Sequence, residues 1–358
     1  MSKTIVFFTA RDLSNVGGGE RMLSFVANKL CDDFKIIILT PYDSNCYYKL
    51  NGKVTLQSLG LKYQNNGIKR KIQYVSILKR LRQWMKSNLY DYFITSSSMA
   101  FLLTSIICWK KDYRLYAWMH LSYYHPTHKL LKWLEKKSYR KFNIISINSL
   151  DIDVYRNFSS FVTQIPNPRP FKSIEKADLD TKRIISVGRL EKGKRFDLLV
   201  DICTNVFNKI PDWTLDIYGQ DEGEKSTIER KISENGMTSR IKIHNPISNI
   251  KDEYLKSSIF VTTTKIEAFP LMLIEACECG LPSISFDVPS GPRDIIENDY
   301  NGYLLKEGDS DNFENKLASL MLSEKLRKTM GNNAIEKANF FDETTIIEKW
   351  YKLFGYDR

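Results

Sequence analysis

Short runs of β-branched and aromatic residues recur along the chain, each followed by a longer stretch in which apolar residues return every three or four positions. In the first half the runs are Thr4 to Ala10, Phe34 to Thr40, Tyr92 to Thr95, Arg114 to Met119 and Asn143 to Asn148. In the second they are Arg183 to Val187, Trp213 to Tyr218, Ile241 to His244, Ile259 to Thr263 and Pro282 to Phe286. Continuous apolar character fits strands buried on both faces, and strands alternating with helices predict parallel sheets joined by right-handed crossovers. Between the two sets, Ile165-Pro-Asn-Pro-Arg-Pro170 places three prolines in five residues, which neither a helix nor a central strand accommodates. The pattern predicts two successive α/β domains, residues 1–168 and 169–341, and a closing amphipathic helix. In that helix Asp342 is the N-cap and Ile346, Trp350 and Leu353 share a face.

Size and composition agree with this division. A chain of 358 residues exceeds what one core usually sustains. Its 42% apolar and 12% aromatic content excludes a disordered chain. The six cysteines (Cys31, Cys46, Cys108, Cys203, Cys277 and Cys279) are scattered without Cys-x-x-Cys or zinc-finger spacing, and read as reduced thiols of a cytoplasmic protein. Met1 to Ala10 turns apolar at once, with no basic leader and no cleavage site, so no secretory signal is read. The longest apolar run, Met99 to Trp109, is too short to span a bilayer.

Charge is unevenly shared. Residues 1–170 carry 26 Lys/Arg against 10 Asp/Glu, a net of +16, whereas residues 171–358 carry 27 against 32, a net of −5. The first half therefore suits an anionic partner: an acidic membrane surface, a phosphorylated lipid or nucleic acid. Two segments suit anionic lipid in particular. Tyr74, Ile77, Leu78, Leu81 and Met85 form a helical stripe opposite Lys79, Arg80, Arg82 and Lys86. Lys129 to Lys141 mixes basic residues with Leu130, Leu131, Trp133 and Leu134. Either is equally an ordinary domain helix with solvated lysines.

Three stretches carry candidate chemistry. After the first strand, Arg11-Asp-Leu-Ser-Asn-Val-Gly-Gly-Gly-Glu-Arg21 lets backbone amides at a helix start approach an anion or a hydroxylated group, or is simply a flexible turn. In Gly188-Arg189-Leu-Glu-Lys-Gly-Lys194, a strand delivers two cations to the sheet edge where α/β ligands gather, and there they can neutralise a diphosphate. In Glu267-Ala-Phe-Pro270-Leu-Met-Leu-Ile-Glu275, the helix from about Pro270 offers the amides of Leu271 and Met272 to phosphate, with one carboxylate before it and one two turns in. The alternatives are a solvated basic loop, a capping carboxylate and a surface carboxylate.

Glu267 and Glu275, with seven residues between them around Phe269-Pro270, resemble the Glu-x7-Glu signature of the retaining family-4 glycosyltransferases. The Gly188 to Asp197 segment, the Gly17-Gly18-Gly19-Glu20-Arg21 loop, Ile217-Tyr-Gly219 and Asn301-Gly302 are similar to further motifs of that family in the same order. The resemblance implies a GT-B fold: two Rossmann-like domains, acceptor-binding then donor-binding, with the active site in the cleft between them and residues 342–358 packed back on the first. It implies that Arg189 and Lys194 hold a donor diphosphate, with the backbone of Phe269, Pro270, Leu271 and Met272 completing the cradle. Glu275 would bind the ribose and Glu267 the transferred sugar, while His120, Gly18 and Gly19 would face the sugar from the first domain. No metal and no cofactor is then required, the nucleotide sugar being a substrate. The chain departs from the family at Asn245 and Ala268, where glycine is common. The loop Val288 to Asp294 resembles members that use UDP-hexoses or UDP-N-acetylhexosamines.

The reading is thus a hexosyltransferase of bacterial surface polysaccharide or lipopolysaccharide synthesis. It would act on a glycan or lipid-linked acceptor in the cytoplasm, with the inner face of the cell membrane as a peripheral station. A nucleic-acid-binding protein would explain the charge but lacks a binding module. An NAD-dependent Rossmann protein would explain the pattern but lacks Gly-x-Gly-x-x-Gly. Asp151-Ile-Asp153 is an Asp-x-Asp of the kind metal-dependent transferases use, without their other features.

Overall fold

The computed structural model describes residues 2–14, 17–43, 45–64 and 67–356. Asn15 and Val16 of the glycine turn, Met1, and Asp357 and Arg358 after the last helix lie outside the described residues. The chain forms two compact units, Met1–Pro166 with Ile347–Arg358, and Asn167–Ile346. The second crossing falls beyond the 341/342 boundary set from sequence, because Asp342 is tied within the second unit by the guanidinium of Arg169.

The first unit holds a seven-stranded sheet of β1 (Thr4–Phe8), β2 (Lys35–Tyr42), β3 (Thr55–Leu61), β4 (Tyr92–Thr95), β5 (Leu115–Met119), β6 (Asn143–Ser146) and β7 (Val162–Gln164). The second holds β8 (Arg183–Val187), β9 (Thr214–Tyr218), β10 (Ile241–His244), β11 (Ile259–Thr262), β12 (Ser283–Asp287) and β13 (Gly302–Lys306). All neighbours are parallel, in the orders β3-β2-β1-β4-β5-β6-β7 and β10-β9-β8-β11-β12-β13. Both sheets are the doubly wound α/β arrangement foreseen from the pattern. The ten strands read from sequence stand within two residues of their expected ends. Ile5 to Phe8 and Ile184 to Ile185 are wholly buried, as strands covered by helices on both faces must be.

Strand order reverses between β1 and β4 and between β8 and β11. Loops leaving the carboxyl ends of the two strands at such a switch part to opposite sides, which opens a crevice. In the second unit those loops are 188–195 and 263–270, the two stretches singled out for their chemistry.

The helix Gly67–Ser87 settles one expectation. Ile77 and Leu81 are completely buried, and Tyr74, Leu78 and Met85 pack against the same core, so this stripe is interior packing and offers no face to lipid. The closing helix Glu343–Leu353 is capped by Asp342, whose Oδ1 accepts from the Thr344 amide at 3.0 Å. Trp350 packs on Trp118 and Phe7 of the first unit with ring centroids 4.8 and 6.0 Å apart. Among the described residues no helix is long and apolar enough to cross a membrane.

Candidate active site

The loop after β8 is held by backbone contacts that local sequence does not announce. At the ends of β8 and β9 the two backbones nearly touch: a Cβ on Gly219 would lie 1.9 Å from the Gly188 carbonyl oxygen, so only glycine fits. A short 3-10 turn, Lys192–Lys194, follows, and Arg195 takes a left-handed conformation (φ 52°) before the helix Phe196–Lys209. Arg195 donates to the carbonyls of Thr263 and Thr264 at 2.7 and 3.1 Å, Thr263 returns a bond to the Arg195 carbonyl at 2.8 Å, and the Lys265 amide reaches the Gly193 carbonyl at 2.9 Å. The two switch-point loops are thereby locked together.

This lock brings Lys194 onto Glu267, ammonium against carboxylate, with the lysine side chain almost buried. Arg189 is placed differently. Its side chain is exposed and pairs with Glu191 at 2.8 Å, so it takes no part in the Lys194–Glu267 contact.

Beyond Glu267 the chain turns through Phe269, which is buried edge-on against Phe341 at 5.5 Å, so Phe269 offers only its backbone. Pro270 is the cap of the helix Leu271–Glu278 rather than its first residue, because its ψ of 97° is extended. Leu271 and Met272 head the helix, where amides lack intrahelical acceptors and the dipole favours an anion. The loop 288–294 braces this turn from behind. Gly291 (φ 53°) lies so close that a Cβ would come within 2.6 Å of Pro270 Cδ and 2.8 Å of the Glu267 carbonyl oxygen.

Two carboxylates on this helix are buried and have different surroundings. Glu278 accepts from Arg169 at 2.7 Å and from the Ser173 amide at 2.8 Å, an anchor to the chain entering the unit. Glu275 accepts from the Tyr254 hydroxyl at 3.0 Å. Burial pushes the Tyr254 hydroxyl well above its ordinary range, and Glu275 adds to this, so it remains a donor. Its neighbour Glu253 fixes the short helix Lys251–Leu255 by accepting from Arg183 at 2.6 Å and Tyr218 at 2.8 Å. Burial would raise the Glu253 carboxyl, but bonds from Lys256, Arg183 and Tyr218 prevail and hold it down to about 2.

In the first unit, Gly18 and Gly19 open the helix Gly18–Leu30, with Gly18 exposed. Gly19 lies beside the imidazole, a Cβ there falling 3.9 Å from His120 Cγ. His120 leans on Trp118 with ring centroids 4.2 Å apart. Arg11 donates to buried Glu20 at 3.1 Å. Burial, with Arg11 adding to it, pushes His120 down to about 3, so the ring is neutral near pH 7. Among the described residues His120 Nε2 and Glu20 Oε2 are buried without a hydrogen-bond partner, as are Gln73 Oε1, Trp84 Nε1, Trp118 Nε1 and the Tyr155 hydroxyl of the same unit, and His120 and Glu20 are the two of these that adjoin the glycine turn.

Asp151 accepts from the Tyr123 amide at 2.8 Å and from Asn148 at 2.9 Å, whereas Asp153 is exposed and pairs with Arg156 at 3.1 Å. The two carboxylates of the Asp-x-Asp are thus engaged separately, Asp151 within the fold and Asp153 at the surface. In the second unit Arg195, Thr263 and Tyr254 support these residues, and nothing in the sequence singled them out. Arg195 adjoins Lys194 in the motif, but only the left-handed backbone reveals its part, and nothing local marks Tyr254.

Residues 169–337 match the family model described as glycosyl transferases group 1. An uncharacterized glycosyltransferase of Haemophilus influenzae is 24% identical over 97% of this chain and 99% of its own. A Campylobacter jejuni α-1,4-N-acetyl-D-galactosaminyltransferase, named for an undecaprenol-diphosphate-linked glycan, is 24% identical over 95% of this chain and 96% of its own. Among solved structures, Anabaena HepE in complex with UDP and glucose shares the fold with a TM-score of 0.76 at 15% identity, over 99% of both chains. The residues that build the switch-point crevice of the second unit thus lie inside the segment that matches the group 1 glycosyl transferases, and with relatives of that activity along nearly its whole length the chain is a glycosyltransferase.

Proposed function

We propose that this enzyme transfers a hexose or N-acetylhexosamine from a UDP-sugar, with retention at the anomeric carbon, to a hydroxyl of a glycan or lipid-linked glycan in bacterial surface polysaccharide or lipopolysaccharide assembly. The observation that carries the reading is the meeting of Lys194 and Glu267 at the head of the helix Leu271–Glu278, with Glu275 further along the same helix. An ammonium has three donors, so Lys194 can keep Glu267 and still bond a phosphate oxygen. The amides of Leu271 and Met272 add the helix-end field, and Arg189 joins them on the diphosphate. Glu275, steadied by Tyr254, accepts from the ribose hydroxyls, and Glu267 orients the sugar. In the first unit His120, a neutral ring beside Gly19, is the side chain assigned to a substrate hydroxyl.

As the bond to the diphosphate breaks, negative charge grows where these fixed donors already point, the condition for electrostatic catalysis. The departing phosphate oxygen takes the acceptor's proton, and the acceptor oxygen bonds the anomeric carbon from the same face. Because fixed cations and amides supply the positive charge, turnover is expected to withstand chelators. The relatives support the substrate class: one is named for a lipid-linked glycan and another was solved with UDP and glucose. The test is UDP release from UDP-glucose, UDP-galactose and their N-acetyl forms, with GDP-mannose alongside. Turnover of a UDP-sugar giving an α-linked product is expected, and turnover of GDP-mannose alone, or a β-linked product, contradicts the proposal.

A further inference from the structure

The helix Lys129–Tyr139 inverts the usual surface pattern. Its inward side is made by Glu135, Ser138 and Tyr139, all buried, while Leu130, Trp133 and Leu134 stand on the outside, Leu130 being 59% and Trp133 50% exposed. Large apolar side chains grouped on a solvent face mark a contact surface. The helix Ser98–Ile107 packs beside it and is followed by further exposed apolar residues. Ser138 donates to Ser105 at 2.8 Å and Lys141 to the Ser105 carbonyl at 2.7 Å, and just beyond Ser105 come exposed Ile106 and Trp109, the latter 86% exposed.

The charge around this apolar patch has one sign. Lys129, Lys136, Lys137 and Arg140 are exposed on the same outer side, and the only acid of the helix, Glu135, is buried and faces Lys132 at 3.7 Å. The Lys137 ammonium lies 3.8 Å from the centre of the Trp133 ring, so cation and aromatic are presented together. A protein partner would need apolar sockets ringed by acids. A bilayer with anionic headgroups supplies both requirements without shape: an acyl boundary for Trp and Leu, and phosphates for Lys and Arg. The net of +16 over residues 1–170 favours the same occupant.

We infer that this face, Leu130, Trp133, Leu134 and Trp109 with their flanking lysines, is where the enzyme rests on an anionic lipid surface. The inference deepens the acceptor side of the reading above, in which the glycan is lipid-linked.

The test is sedimentation of the full chain with vesicles of phosphatidylcholine alone and of phosphatidylcholine mixed with phosphatidylglycerol. Binding to the mixed vesicles only is expected. Lys136→Glu with Lys137→Glu, and separately Leu130→Gln with Trp133→Gln, should each weaken it at least about tenfold. These side chains are on the surface, so the variants should keep wild-type UDP-sugar hydrolysis in lipid-free solution. Equal binding to neutral vesicles, or variants that sediment like the wild type, would overturn the inference. So would a wild-type dimer, seen by light scattering, that the variants dissolve, since the face would then belong to a second copy. A wild type that binds anionic vesicles but hydrolyses no UDP-sugar contradicts the donor assignment and leaves the lipid surface standing.

Discussion

Lys194 combines near burial, a carboxylate partner and a position at the head of a helix, and each of these gives it a distinct test. Lys194→Ala removes a fixed positive charge from where charge develops and should lower kcat/KM by about 10²–10³-fold. Lys194→Arg should not restore it, since a planar fork replaces a compact charge. Tyr254→Phe removes the hydroxyl that donates to Glu275 at 3.0 Å and should weaken UDP binding about tenfold, measured by titration; unchanged affinity would mean that Glu275 does not need Tyr254. His120 has a different signature. An unfolded chain protonates it near 6.5, whereas the native site refuses the proton until about 3, so between these values stability falls as pH falls. Urea unfolding of His120→Asn should show a shallower loss over that window, and an unchanged slope would contradict the buried neutral ring. Glu267, Glu275 and Lys194 were legible in the sequence because strand, turn and helix fix their spacing locally. Tyr254 and Arg195 were not, since they act across 21 and 68 residues, on Glu275 and Thr263.

At the scale of elements, the helix Leu271–Glu278 is positioned from both sides. Arg169 holds Glu278 while Gly291 backs the turn before the helix. Gly291→Ala combines a positive φ with a Cβ 2.6 Å from Pro270, and should cost about 1–3 kcal/mol. Thermal unfolding and UDP titration should both register it, because the displaced neighbours are Pro270 and the Glu267 carbonyl. A variant with wild-type Tm and affinity would show that the loop gives way. The central strands were legible as continuous apolar runs. The strands missed were β3, β7 and β13, each in an outer position of its sheet. β3 carries Gln57 and Ser58 and is only half-buried, β7 is three residues long, and β13 opens on Asn301-Gly302, which reads as a turn. Outer strands bury less, so their sequences alternate weakly or not at all.

For the whole molecule, the same strand order recurs in both sheets, the first adding a seventh strand, but the two halves of the chain carry opposite net charge. In the second unit, net acidic although rich in lysine and arginine, Lys194 and Arg189 stand on the loop that leaves β8 at the strand-order switch. The basic first unit spreads its charge over helices, which is why the sequence suggested two lipid-facing stripes and only the buried core showed that one of them was packing. On the proposed function a UDP-sugar is held by Lys194 and Glu275 at the β8/β11 switch. Calorimetric titration of UDP into the full chain, Lys194→Ala and Glu275→Ala tests it most directly. One site is expected in the wild type, weakened at least about tenfold in each variant with the fold intact by circular dichroism. UDP that does not bind, or that binds both variants as well as the wild type, would contradict it.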